Sequence, residues 1–181
     1  SRIPPQVNLD TDIIDAIIAN DIVKVRKFVE SGANINQKAN NGTTALMIAI
    51  AKKNEDIAGY LISRGAEVNV KNNYDTTALM VAASFGLDKT VKLLIEKNAD
   101  INAQDIFQRS AIEYTIINGN IESFKILKEA KLKQGYSQDF IDNLVNTLLF
   151  AEIKHGNIKN IKNIIATGAN VNARNYFLAS P

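Results

Sequence analysis

The sequence predicts an all-α fold: an α-solenoid of stacked helix–turn–helix units with hairpin loops projecting from one side. Three observations carry that expectation. The strings Gly32-Ala33-Asn34-Ile35-Asn36, Gly65-Ala66-Glu67-Val68-Asn69 and Asn98-Ala99-Asp100-Ile101-Asn102 begin 33 residues apart, and Gly168-Ala169-Asn170-Val171-Asn172 follows 70 residues later. Thr43-Thr44-Ala45-Leu46-Met47 returns as Thr76-Thr77-Ala78-Leu79-Met80, again after 33 residues, with degenerate copies from Arg109 and from Asn146. The glycines Gly86, Gly119 and Gly156 form a third series, spaced 33 and then 37. In a repeat array of this kind no unit buries its apolar face alone, and stacked neighbours make one continuous core.

The register divides the chain into an N-terminal extension, 1–10, and a single repeat domain, 11–181, with units at about 11–43, 44–76, 77–109, 110–146 and 147–177. The first unit is a cap candidate, with Asp12, Asp15, Asn20 and Asp21 expected outside and Ile13, Ile14, Ile17 and Ile18 facing inward. Thr44 and Thr77 open the second and third units as N-caps, accepting from the free amides of a first helical turn. In the third unit Ala78, Leu79, Ala82 and Ala83 give the first helix a narrow face that permits close approach, and Val91, Leu94 and Ile95 give the second helix its apolar stripe. Gly86 and Gly119 suit a left-handed turn between helices. Lys71-Asn72-Asn73-Tyr74-Asp75 supplies a hairpin turn. The fourth unit is irregular, with a helix from Ile121 that runs into Lys131–Gly135. Ser137 then opens a long apolar pattern through Phe140, Ile141, Leu144, Val145, Leu148 and Leu149, so the fifth unit is expected to start with an unusually long helix.

These landmarks together resemble the ankyrin repeat, with its period of 33 and its T-P-L-H-x-A signature. The signature reads TTALMIAIAKKN and TTALMVAASFGL here, and the likeness covers residues 11 to 177. Ala45 and Ala78 stand in place of the family's Pro, and Met47 and Met80 in place of its His. The usual polar link between neighbouring helix pairs is therefore missing. Ala is the best helix former and Met packs adaptably, so the fold is expected to survive both exchanges. The resemblance implies a protein-binding module that presents its concave face and finger loops. The stretch from Leu61 to Asn69 also resembles sites where ankyrin-repeat asparagines are hydroxylated in animals. The ordinary expectation is that Asn36, Asn69, Asn102 and Asn172 hydrogen-bond the finger backbone.

Composition narrows the chemistry. The chain has 181 residues, and its 21 Lys+Arg against 19 Asp+Glu give a net charge of +2, too balanced for a protein whose main task is gripping nucleic acid. A hydrophobic fraction of 46% supports a packed core. No apolar run approaches the roughly 18 residues of a membrane span. The absence of cysteine excludes disulfides, thiolate metal sites and cysteine nucleophiles. It fits a reducing cytoplasm, the favoured compartment, and also a periplasm or a secreted effector. The single histidine, His155, has neither metal-ligand partners nor an associated nucleophile and acid, and reads as an exposed helix-end residue. No catalytic residue, metal or cofactor is expected. Lys52-Lys53 and the run from Lys128 to Lys133 read as solvated faces.

The candidate binding residues lie at the positions that vary in the family. Tyr74, Phe107 and Phe177 share one register in the finger loops, and aromatics projected at repeat spacing are favoured binding anchors. Lys38 and Asn41 join them from the second unit, Lys71, Asn73 and Phe85 from the third, and Ile106 and Arg109 from the fourth. Ile106 beside Phe107 predicts an exposed apolar patch. The expected function is a monomeric, non-enzymatic module for a protein partner, with no nucleic acid and no membrane among its targets. Heavy use of Ile, Asn and Lys suggests an AT-rich genome, hence a bacterial or parasite protein acting on host factors. The alternatives are a targeting or regulatory repeat domain of a larger enzyme, and nucleic-acid binding through Lys38, Lys52, Lys71, Arg109 and Lys154.

Overall fold

The computed structural model describes residues 9–172, which form ten α-helices and no strand. They are α1 (Leu9–Ile18), α2 (Ile22–Glu30), α3 (Ala45–Ala51), α4 (Glu55–Ser63), α5 (Ala78–Phe85), α6 (Asp88–Glu96), α7 (Ala111–Asn118), α8 (Ile121–Lys133), α9 (Gln138–His155) and α10 (Ile158–Ala166). Successive helices pair as hairpins. The first helices α1, α3, α5 and α7 stack in one column and the second helices α2, α4, α6 and α8 in another. The result is an all-α solenoid.

Small residues set the spacing. Ala45 and Ala49 of α3 and Ala78, Ala82 and Ala83 of α5 are fully buried, so each first helix sits between its neighbours with almost no side-chain volume in the way. Leu46, Ile50, Leu61, Leu79, Leu94, Ile112 and Leu127 fill the space between columns. Ile95 is half-buried at the edge of that core. Thr44 Oγ1 accepts from the Met47 amide at 3.2 Å and Thr77 Oγ1 from the Met80 amide at 3.4 Å, so both expected N-caps form. Met80 also returns a bond, its Sδ accepting from the Thr77 amide at 3.4 Å. A thioether thus completes the reciprocal cap that Glu113 completes for Ser110 in α7.

The turns between paired helices adopt a left-handed residue at Gly86, Gly119 and Gly156, and also at Asn20 and Lys53 in the same register. Behind these turns, polar side chains tie α6, α8 and α10 to the units before them. Glu55 Oε2 accepts from the Thr90 amide and hydroxyl, and Asn120 Nδ2 donates to the carbonyls of Ala83 and Ser84 at 2.8 and 3.0 Å. Asn163 Nδ2 donates likewise to Ile117 at 3.0 Å.

Three sequence expectations are corrected. Ile18 is about half exposed, because α1 is the outermost first helix and only one of its faces meets α3. Phe140 is exposed for a related reason: it lies in the first turn of α9, at the outer edge of the stack, with the Tyr136 ring centre 4.9 Å from its own. Lys131 does not lie on a solvated face. It is 5% exposed, with Nζ donating to Asn102 Oδ1 at 2.7 Å and lying 4.5 Å from the centre of the Tyr136 ring. Its burial follows from the extension of α8 to 13 residues, which carries this side chain inward where shorter second helices have already ended. The long α9, 18 residues capped by Ser137 accepting from the Phe140 amide, matches expectation.

Candidate protein-binding surface

Three finger loops connect the helix pairs, and each is built by the same bonds. The amides of Ala39, Asn72 and Asp105 donate to the carbonyls of Thr43, Thr76 and Arg109, and the amides of Gly42, Asp75 and Gln108 donate back to those of Ala39, Asn72 and Asp105. The residue at the tip is left-handed in all three, with φ of 76° at Gly42, 57° at Asp75 and 60° at Gln108. Side chains lock the turns from inside. Asn72 Oδ1 accepts from the amides of Tyr74 and Thr76, and Asp105 Oδ1 from those of Phe107 and Arg109. With its carboxylate so engaged, Asp105 is 3% exposed. Its other oxygen accepts from the Tyr114 hydroxyl at 2.5 Å. Burial, and then this bond, push the phenol's pKa up to about 12.

The fingers are also tied tip to tip. The Asn73 amide donates to Asn41 at 3.0 Å, the Ile106 amide to Tyr74 at 3.1 Å, and Lys71 Nζ to the Gln104 carbonyl at 3.0 Å. Two rings stand out from this braced edge, Tyr74 at 54% exposure and Phe107 at 67%, with Ile106 at 49% between them. Locked backbone turns point these side chains outward; no core contact does. Phe85 projects from the far end of α5, partly exposed, with Lys53 Nζ 5.2 Å from its ring centre, and the Arg109 guanidinium lies 5.9 Å from that of Phe107. Lys38, Asn41, Lys71, Asn73 and Arg109 are exposed on the same loops. Phe177 lies outside the described residues.

At the opposite edge of each unit, Asn36, Asn69 and Asn102 depart from expectation. Asn36 Oδ1 accepts from the Glu67 amide at 2.9 Å, and Asn69 Oδ1 from the Asp100 amide at 2.8 Å while its Nδ2 donates to the Asn98 carbonyl at 3.0 Å. They fasten one unit to the next, where their own finger backbone is already satisfied. Where the fourth unit lacks the string, Lys131 and Gln134 take its place on Asn102. Asn172, whose amide donates to Asn170 Oδ1 at 2.9 Å, carries no such described tie of its side chain.

Residues 13–105 match the family model described as ankyrin repeats (3 copies). The chain belongs to the ankyrin-repeat family. No curated protein matches it. Ankyrin repeats are in general protein–protein interaction modules and are typically non-enzymatic. The exchange of the family's His for Met leaves an ankyrin pair held by packing: Met47 and Met80 are both 1% exposed.

Sequence reasoning missed two features of this ankyrin surface. It placed no weight on Asn72 and Asp105, which hold the rings out; an Asx residue two positions before a loop aromatic is the signal that would have found them. It also read Lys53 only as part of a solvated face, whereas its Nζ lies 5.2 Å from the centre of the Phe85 ring. His155, at the exposed end of α9, lies with Nδ1 2.7 Å from the Ala151 carbonyl, a helix-end arrangement.

Proposed function

We propose that this ankyrin array binds a protein partner through the finger edge and the adjoining ends of α3 and α5, with Tyr74 and Phe107 as anchors and Ile106, Phe85, Lys38, Asn41, Lys71, Asn73 and Arg109 around them. The observation that supports this reading is the pair of exposed rings on tip-bonded fingers. Large apolar side chains held outward by hydrogen-bonded turns lose little freedom when a partner covers them, so a modest contact area is sufficient for useful affinity. Aromatics of this kind commonly contribute 2 kcal/mol or more when buried in an interface, by the ~2 kcal/mol hot-spot threshold. The protein acts by rigid presentation and carries out no reaction of its own.

The test is capture from a lysate of the source cell with the wild type and with Tyr74→Ala plus Phe107→Ala. Proteins retained by the wild type and lost from the double variant, at unchanged thermal stability, support the reading. Identical sets of retained proteins reject it.

A further inference from the structure

The charges of the array are unevenly placed. The fingers, first helices and inter-helix turns of the three central units comprise residues 37–54, 70–87 and 103–120. They contain five cations, Lys38, Lys52, Lys53, Lys71 and Arg109, and all five are exposed. They contain three carboxylates, of which two are already committed. Asp105 is buried in its finger, and Glu113 accepts from the amide and hydroxyl of Ser110 at 2.7 and 2.8 Å. Only Asp75 remains exposed, 3.9 Å from Lys71 Nζ. The second helices and following loops, residues 55–69, 88–102 and 121–133, hold eight carboxylates and eight cations. Lysines are spread over the whole molecule; the finger side is distinguished by having almost no free carboxylate. Asp56, in the first turn of α4, is the exposed carboxylate bordering the Lys52–Lys53 turn.

We infer that the partner segment is acidic: an extended peptide in which Asp or Glu alternates with aromatic or aliphatic side chains. The inference rests on the reading of this edge as a protein-binding surface and specifies its partner. Two cation–ring pairs carry the alternation, Arg109 with Phe107 and Lys53 with Phe85. Each offers an apolar platform with a positive charge at its rim, which suits a carboxylate next to an apolar anchor. A polyanion with evenly spaced phosphates is matched less well. Apart from the Lys52–Lys53 turn the cations stand one to a finger, at Lys38, Lys71 and Arg109, and a net charge of +2 gives little long-range attraction for nucleic acid.

The experiment is selection of displayed random 15-residue peptides on the full chain, followed by fluorescence anisotropy of the enriched peptides and of single-stranded and duplex oligonucleotides. The expected result is enrichment of peptides rich in Asp or Glu with interspersed Phe, Tyr, Leu or Ile. Their affinity should fall about tenfold from low to high salt as exposed charge pairs are screened. It should fall by a similar factor in Lys38→Glu plus Arg109→Glu, whose circular dichroism and melting temperature should match the wild type, and return in Arg109→Lys alone. Peptides that need Tyr74 and Phe107 but show no acidic excess overturn the acidic partner and leave the protein-binding edge standing. No enrichment, or binding of oligonucleotides alone, overturns both.

Discussion

A single buried carboxylate organises the third finger. Asp105 accepts three bonds: two from backbone amides of its own loop on one oxygen and one from the Tyr114 hydroxyl of α7 on the other. The consequence for Tyr114 is a phenol whose proton is held well past its ordinary range, to about 12 against a usual 10. The bond contributes fully below pH 10 and is lost as the pH rises through 12, because the folded-state pKa is the higher one. Alkaline titration followed by phenolate absorbance is expected to show a step near 12, and Tyr114→Phe should remove that step. If the step near 12 persists in the variant, the assignment fails. Lys131 differs in sign. Burial lowers its pKa, partly offset by Glu113 and Asp100, so the fold favours its neutral form more than water does.

The helix pair is the unit at which the turn residues act. Gly119 has φ of 71°, and a Cβ there would lie 2.8 Å from the Asn163 amide that donates to Ile117. Gly119→Ala therefore combines left-handed strain with displacement of a bond between units, and should destabilise by about 2 kcal/mol in urea unfolding. A change below ~0.5 kcal/mol, the scatter of ordinary surface substitutions, would contradict this. Lys53 occupies the same register with φ of 58°, and no asparagine reaches over it, since the residue corresponding to Asn120 is Leu87. That contrast explains what the sequence made legible at this scale. The period, the Thr44 and Thr77 caps, the alanine faces and the long α9 are local patterns with a local cause, so they could be read from spacing. The left-handed turns at Asn20 and Lys53 carry no glycine to announce them. The reach of Asn36 and Asn69 into the next unit depends on how two units meet, and the burial of Lys131 on where α8 ends. None of these is encoded within one helix.

The stack is thinly held at its ends. Among second helices α4 buries four residues, whereas α2 buries only Val25 and α10 only Ile164, with Ile158 and Ile165 left exposed. Both α9 and α10 pack on α7, and no finger links α8 to α9. Arrays held by nearest-neighbour contacts open first where those contacts are thinnest. Hydrogen exchange is therefore expected to show protection in α3 to α7 close to the global limit and protection in α9 and α10 at least tenfold lower, a difference of roughly 1.4 kcal/mol. Uniform protection from α3 to α10 would refute that ordering.

The missing fourth finger also sets a ruler. Helix columns repeat at about 10 Å, so three tips span about 20 Å, and an extended chain advances about 3.3 Å per residue. After Gln134 the edge gives way to the flank of α9, with no further tip among the described residues. About six consecutive residues of a bound strand can thus be gripped at once, and lengthening such a ligand past that limit should leave its dissociation rate unchanged.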